Sequence, residues 1–123
     1  MVKYTMSASE YRYSRPDALL ANVGGDRNTF MLLVDIFRRD TAEKLANLRE
    51  ALAKGDRAQL VFNTHAMKGT VGPTGADALL EKLVSLEAAS RDPQGVYDAQ
   101  SLDEVERQVA LIKEELERFA AKL

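Results

Sequence analysis

Residues 101–123 read SLDEVERQVALIKEELERFAAKL, and the spacing of their apolar side chains decides the fold. Leu102, Val105, Val109, Ile112, Leu116, Phe119 and Leu123 alternate intervals of three and four. A helix turns about 100° per residue, so all of them fall on one face and the charged residues fall on the other. Ser101, with Glu104 three positions on, reads as a capping box that starts this helix. Such a stripe is not stable alone in water and needs apolar partners.

The upstream sequence supplies them. Asp26 is a good N-cap, and Phe30, Val34, Phe37, Thr41, Leu45, Leu48 and Leu52 follow at helical spacing until Gly55 stops the run. Asp56 opens a third helix with the line Leu60, Thr64, Met67 and Val71, closed by Gly72-Pro73 because proline lacks a donor and disfavours a helical residue before it. Thr74 with Asp77 resembles a second capping box, opening a helix that carries Leu79, Leu83 and Leu86 and ends near Arg91, before Asp92-Pro93. Ser14, Pro16 and Asp17 start a short helix near 15–23, which Gly24-Gly25 ends. The fold class expected is all-α, an antiparallel up-and-down four-helix bundle with an additional short N-terminal helix across one end. An intermolecular coiled coil is the competing arrangement, but only the last helix sustains its stripe over three heptads.

Composition agrees with one domain. The 123 residues are 46% hydrophobic and 29% charged, enough to bury close to about two-thirds of the unfolded surface. Residues 14–123 form that domain; residues 1–13 are a polar tail, with Tyr4, Tyr11 and Tyr13, that is partly disordered or folds back onto the bundle. A net charge of -2 offers no concentrated basic face, so neither nucleic acid nor a membrane is an expected partner. The chain has no cysteine, which excludes disulfides, thiolate metal sites and cysteine nucleophiles. Its longest strictly apolar run, Phe30 to Val34, is far short of the roughly 20 residues that span a bilayer, and Met1 to Arg15 holds no signal-peptide stretch. A cytoplasmic, freestanding monomer is expected.

Chemistry concentrates at the single histidine, in Thr64-His65-Ala66-Met67-Lys68-Gly69-Thr70. Histidine, with an ordinary pKa of about 6.5, is largely neutral and nucleophilic at neutral pH. His65 lies about 130° from the centre of the Leu60–Val71 stripe and therefore faces solvent. Lys68, one turn on, puts an ammonium within reach of an anionic group on the imidazole, where it would stabilise a phosphoryl group and its transfer; otherwise it is a solvated surface lysine. Gly69 costs a helix about 1 kcal/mol relative to alanine, and at i+4 from His65 its missing side chain opens the ring to a bulky reactant. Fraying before Gly72-Pro73 or close helix packing would also account for it. Phe62 projects opposite to the core stripe beside the same patch, and Val61 and Gly72 border it, together suggesting a docking surface.

His65-Ala66-Met67-Lys68-Gly69, then Gly75-Ala76, then Leu79, Leu83 and Leu86-Glu87, resembles the signature of the histidine-containing phosphotransfer (HPt) domains of bacterial phosphorelays. The resemblance runs from about Arg15 to the C-terminus. It implies a phosphocarrier without its own ATP site: His65 accepts a phosphoryl group from the phosphoaspartate of one receiver domain and passes it to the aspartate of another. The implied partners are receiver domains of a hybrid sensor kinase and of a response regulator. No cofactor and no metal are expected on this chain, magnesium coming with the receiver. The resemblance also adds Leu79 and Lys82, on the fourth helix, to the docking residues Val61, Phe62 and Gly72. Two other readings stand beside it: a helical adaptor that binds a partner through the surface around Phe62, and the phosphoacceptor module of a chemotaxis-type kinase.

Overall fold

Asp26 opens the longest helix, its carboxylate accepting a hydrogen bond from the Thr29 backbone N at 3.0 Å. The same device starts the next one, where Asp56 accepts from the Gln59 N at 3.2 Å. The computed structural model describes residues 10–123, and Tyr4 with the rest of residues 1–9 lies outside them. In chain order the helices are α1 (Pro16–Asn22), α2 (Arg27–Lys54), α3 (Arg57–Val71), α4 (Asp77–Arg91) and α5 (Ala99–Ala120), with a 3₁₀ turn at Gly72–Thr74 between α3 and α4.

Helices α2 to α5 form a ring in which α2 packs on α3 and α5, and α4 packs on α3 and α5. Cross-helix contacts show the alternating directions. Asp40 meets Thr70 and Asn47 meets Asn63 between α2 and α3, while Arg57 reaches the carbonyls of Ser90 and Asp92 at the far end of α4. Arg49 of α2 holds Asp103 and Glu106 near the start of α5. The apolar stripes meet inside: Phe30, Leu48, Met67, Val71, Leu79, Leu83, Leu102, Val105, Ile112 and Leu116 have no exposed surface. The four-helix bundle with a short extra helix is therefore present. The extra helix lies across one end, against the 3₁₀ turn, α2 and α5.

Three helix starts differ from the expectation, each because the side chain assigned as a cap has another use. Ser14 Oγ donates to Glu115 Oε1 at 2.7 Å, and α1 begins after Arg15 with no side-chain cap. Thr74 belongs to the 3₁₀ turn and donates back to the Val71 carbonyl at 2.6 Å, so α4 follows Ala76 uncapped. Asp98, not Ser101, caps α5, accepting from the Ser101 N at 2.9 Å. At the other end α5 stops at Ala120, which leaves Leu123 off the stripe and 42% exposed.

The segment before α1 lies against the bundle. Buried Glu115 accepts from the backbone N of Arg12 at 2.7 Å and of Tyr13 at 3.1 Å as well as from Ser14, and the Tyr11 ring meets Phe119 edge-on at 5.7 Å. Arg15 then donates its backbone N to the Thr74 carbonyl at 2.7 Å, beside Gly75. Gly75 has φ +73°, and a Cβ there would sit 2.7 Å from Arg15 Cβ, so glycine is required for both conformation and space.

Candidate functional site

The stripe Leu60, Thr64, Met67 and Val71 is buried, which fixes the rotation of α3. His65 is consequently turned outward, its side chain 67% exposed. From behind, Thr64 shares a 2.7 Å hydrogen bond with the Tyr97 hydroxyl on the α4–α5 connection; burial pushes the Tyr97 phenol up, and the hydrogen bond with Thr64 partly offsets it. This contact holds the connection against the middle of α3.

Glu87 of α4 completes the site; the sequence names it within the family signature but assigns it no role. It stands on the buried side of α4, only 8% exposed. Its Oε2 is 3.1 Å and its Oε1 3.3 Å from His65 Nδ1. Lys68 Nζ lies 2.7 Å from Oε1, and an Arg91 terminal guanidinium nitrogen lies 2.8 Å from Oε2. The Arg91 guanidinium foremost, then Lys68, with a smaller hydrogen bond from His65, hold the Glu87 carboxyl at about 2 against the raising effect of its burial. Glu87 is thus ionised at neutral pH and can only accept hydrogen bonds. His65 Nδ1 must then donate, so in the neutral imidazole the ring hydrogen is on Nδ1 and the Nε2 lone pair is free. A signal for Glu87 was present in the sequence: it follows Leu83 by four, so it is a charged residue on an apolar stripe, a position where charges are rare unless paired.

The other expected residues separate into those around His65 and those elsewhere. Gly69 is exposed, and a Cβ added there meets nothing within 4 Å, so no neighbouring helix requires glycine at this position. Phe62 is 65% exposed and Val61 half-buried on the same stretch of α3, and Gly72 is half-buried where the 3₁₀ turn begins. Lys68 is placed beside the site but engaged by Glu87 rather than free. Leu79 is a correction: it is fully buried in the core and offers a partner no surface. Lys82 is half-buried in a groove between α4 and the start of α5, lined with Asp98, Glu104 and Arg107, and is not joined to His65. Its place on α4 is five residues from Glu87, about 140° around the helix. Val84, three residues before Glu87 and about 60° from it around α4, stands 51% exposed.

Among the described residues, no group of three or more His, Asp or Glu side chains is placed to hold a metal ion, and no helix is long and apolar enough to cross a membrane. The site presents an exposed imidazole with its Nδ1 held against a carboxylate that also gathers two cations, Lys68 and Arg91. That arrangement suits nucleophilic capture of an electrophile carried in by a partner.

The comparisons with known proteins bear on the fold and the family. A search of curated proteins returned no match to the sequence. Among solved structures, the histidine-containing phosphotransfer protein B (HptB) from Pseudomonas aeruginosa PAO1 superposes with a TM-score of 0.81, covering 90% of this chain and 96% of that one. At 22% identity this likeness speaks for the fold alone. The family model of the Hpt domain matches residues 32–122, which contain α3, α4, α5 and most of α2, and on that match the chain belongs to the Hpt domain family.

Proposed function

We propose that this protein is a phosphocarrier in which His65 Nε2 accepts a phosphoryl group from the phosphoaspartate of one receiver domain and delivers it to the aspartate of a second. The observation that carries the reading is the outward-facing imidazole whose Nδ1 is held by ionised Glu87. Membership of the Hpt family supports histidine phosphotransfer within a phosphorelay. The receivers of a hybrid sensor kinase and of a response regulator are the partners this reading expects, with the cytoplasm as its setting.

In the forward step the Nε2 lone pair attacks phosphorus, the P–O bond to the partner's carboxylate breaks, and the bonding pair leaves with that carboxylate. The ring becomes a phosphorylated imidazolium, its positive charge balanced by Glu87, and the Nδ1 hydrogen never moves. In the second step the other receiver's carboxylate attacks phosphorus and the imidazole leaves as a neutral molecule, which makes the phosphate readily transferable. Lys68, able to turn from Glu87 toward the phosphoryl oxygens, supplies a cation as charge develops there. Gly69 leaves room for the incoming pocket, while Val61, Phe62, Gly72 and Val84 provide the surface on which the receiver docks. Any magnesium belongs to the receiver; this chain's task is to hold one nucleophile in fixed orientation on a rigid helix.

Incubation with a phosphorylated receiver tests the reading. An acid-labile, base-stable label on wild type that is absent from His65→Gln is expected. A panel of receivers that leaves no label on wild type would remove the reading's support.

A further inference from the structure

The division of labour between the two oxygens of Glu87 assigns a role to Arg91. Oε1 takes Lys68 at 2.7 Å, Oε2 takes Arg91 at 2.8 Å, and His65 Nδ1 lies within reach of both, nearer to Oε2 at 3.1 Å than to Oε1 at 3.3 Å. Lys68 and His65 ride on α3, whereas Arg91 sits one turn after Glu87 on α4. The Arg91–Glu87 pair is therefore internal to one helix and persists whatever Lys68 does. A glutamate side chain has several rotatable bonds, and one held by Lys68 and His65 alone would lose a tether as soon as Lys68 turned to a phosphoryl group. Arg91 is the foremost partner that keeps Glu87 ionised, although solvent screening of its 60% exposed side chain limits what the pair adds to stability. Its effect is geometric.

Resting on the phosphocarrier reading, we propose that Arg91 is a positioning residue, whose guanidinium pins Glu87 Oε2 so that the Nδ1 hydrogen of His65 stays directed at the carboxylate both before transfer and after Lys68 has moved. Arg91 acts through Glu87 and has no need to touch phosphate. Orienting partners of this kind, one step removed from the reacting atom, keep the tautomer and the ring plane fixed.

The test reads the tautomer of His65 by ¹⁵N NMR on the full-length, unphosphorylated protein, and in parallel the rate of transfer from a phosphorylated receiver. In wild type the Nδ1–H form predominates. Arg91→Ala is expected to raise the Nε2–H population and slow transfer about tenfold, with the helical signal unchanged and only a small fall in the unfolding midpoint, since Glu87 keeps Lys68. Arg91→Lys restores most of both, and Arg107→Ala, which removes a surface ion pair with Glu104 on α5, moves neither. An Arg91→Ala protein that keeps the wild-type tautomer ratio overturns the proposal, whatever its transfer rate. Because the tautomer is read without any phosphate, a ring that responds in a protein no receiver labels contradicts the phosphocarrier reading and supports the role of Arg91.

Discussion

Lys68 Nζ lies 2.7 Å from Glu87 Oε1, so the cation nearest His65 on α3 is engaged by a carboxylate in the resting protein. In the proposed transfer Lys68 exchanges one anionic partner for another. Lys68→Ala is expected to slow phosphoryl transfer roughly tenfold, less than the loss of a buried oxyanion donor because this site is open to water. The fold should persist, since Glu87 keeps Arg91 and His65. Rapid-quench transfer kinetics check this, and wild-type rates would reduce Lys68 to a surface charge.

Two glycines of the same stretch should respond in opposite ways. Gly69 is helical with open space beyond it, so Gly69→Ala is expected to stabilise the protein by up to about 1 kcal/mol, while a large side chain such as leucine obstructs the receiver and slows transfer. Gly75→Ala forces a side chain into positive φ and against Arg15, and is expected to cost roughly 1–3 kcal/mol while leaving transfer by the folded fraction intact. Urea unfolding alongside transfer rates separates the two.

Acid should expose the contribution of Glu87. Its carboxyl is drawn from 4.5 down to about 2 by Arg91 first and Lys68 next. A carboxyl depressed in the folded state stabilises the protein fully above the unfolded value and loses that contribution as pH falls toward the folded value. Wild type is therefore expected to exceed Glu87→Gln in stability at pH 7, with the gap closing between pH 4.5 and about 2. Unfolding curves for both proteins at several pH values across that window give the answer; a gap that does not change with pH would mean the ion cluster contributes nothing.

Phe62 tests the docking surface. Being 65% exposed, it stabilises the fold little, so Phe62→Ala should leave the unfolding midpoint in place. It is expected to raise the receiver concentration needed for half-maximal transfer by about five- to tenfold, equivalent to about 1 kcal/mol, without changing the maximal rate. A change in maximal rate alone would place Phe62 with the chemistry instead of the docking.

The helices were legible where their signals are local. Asp26 and Asp56 cap α2 and α3 through contacts three residues away, and the buried stripe of α3 sets which way His65 points. The starts of α1, α4 and α5 were misread because a hydroxyl followed by an acid is also free to bond elsewhere. Ser14 is taken by Glu115 across 101 positions, Thr74 by the Val71 carbonyl, and Ser101 is itself the donor to Asp98. At the site, the outward direction of His65 follows from α3 alone. Glu87, Arg91 and Val84 do not, because their meaning depends on how α4 is rotated against α3. Leu79 and Lys82 were placed on the docking face for the same reason, and the rotation observed puts one in the core and the other toward α5.

The position of the phosphate on the imidazole tests the central claim most directly. The protein would be labelled by a phosphorylated receiver, held at alkaline pH, and examined by ³¹P and ¹⁵N NMR. The account predicts a single phosphoryl group on His65 Nε2, with Nδ1 still bearing hydrogen toward Glu87. A phosphoryl group on Nδ1, or on any residue other than His65, would contradict it.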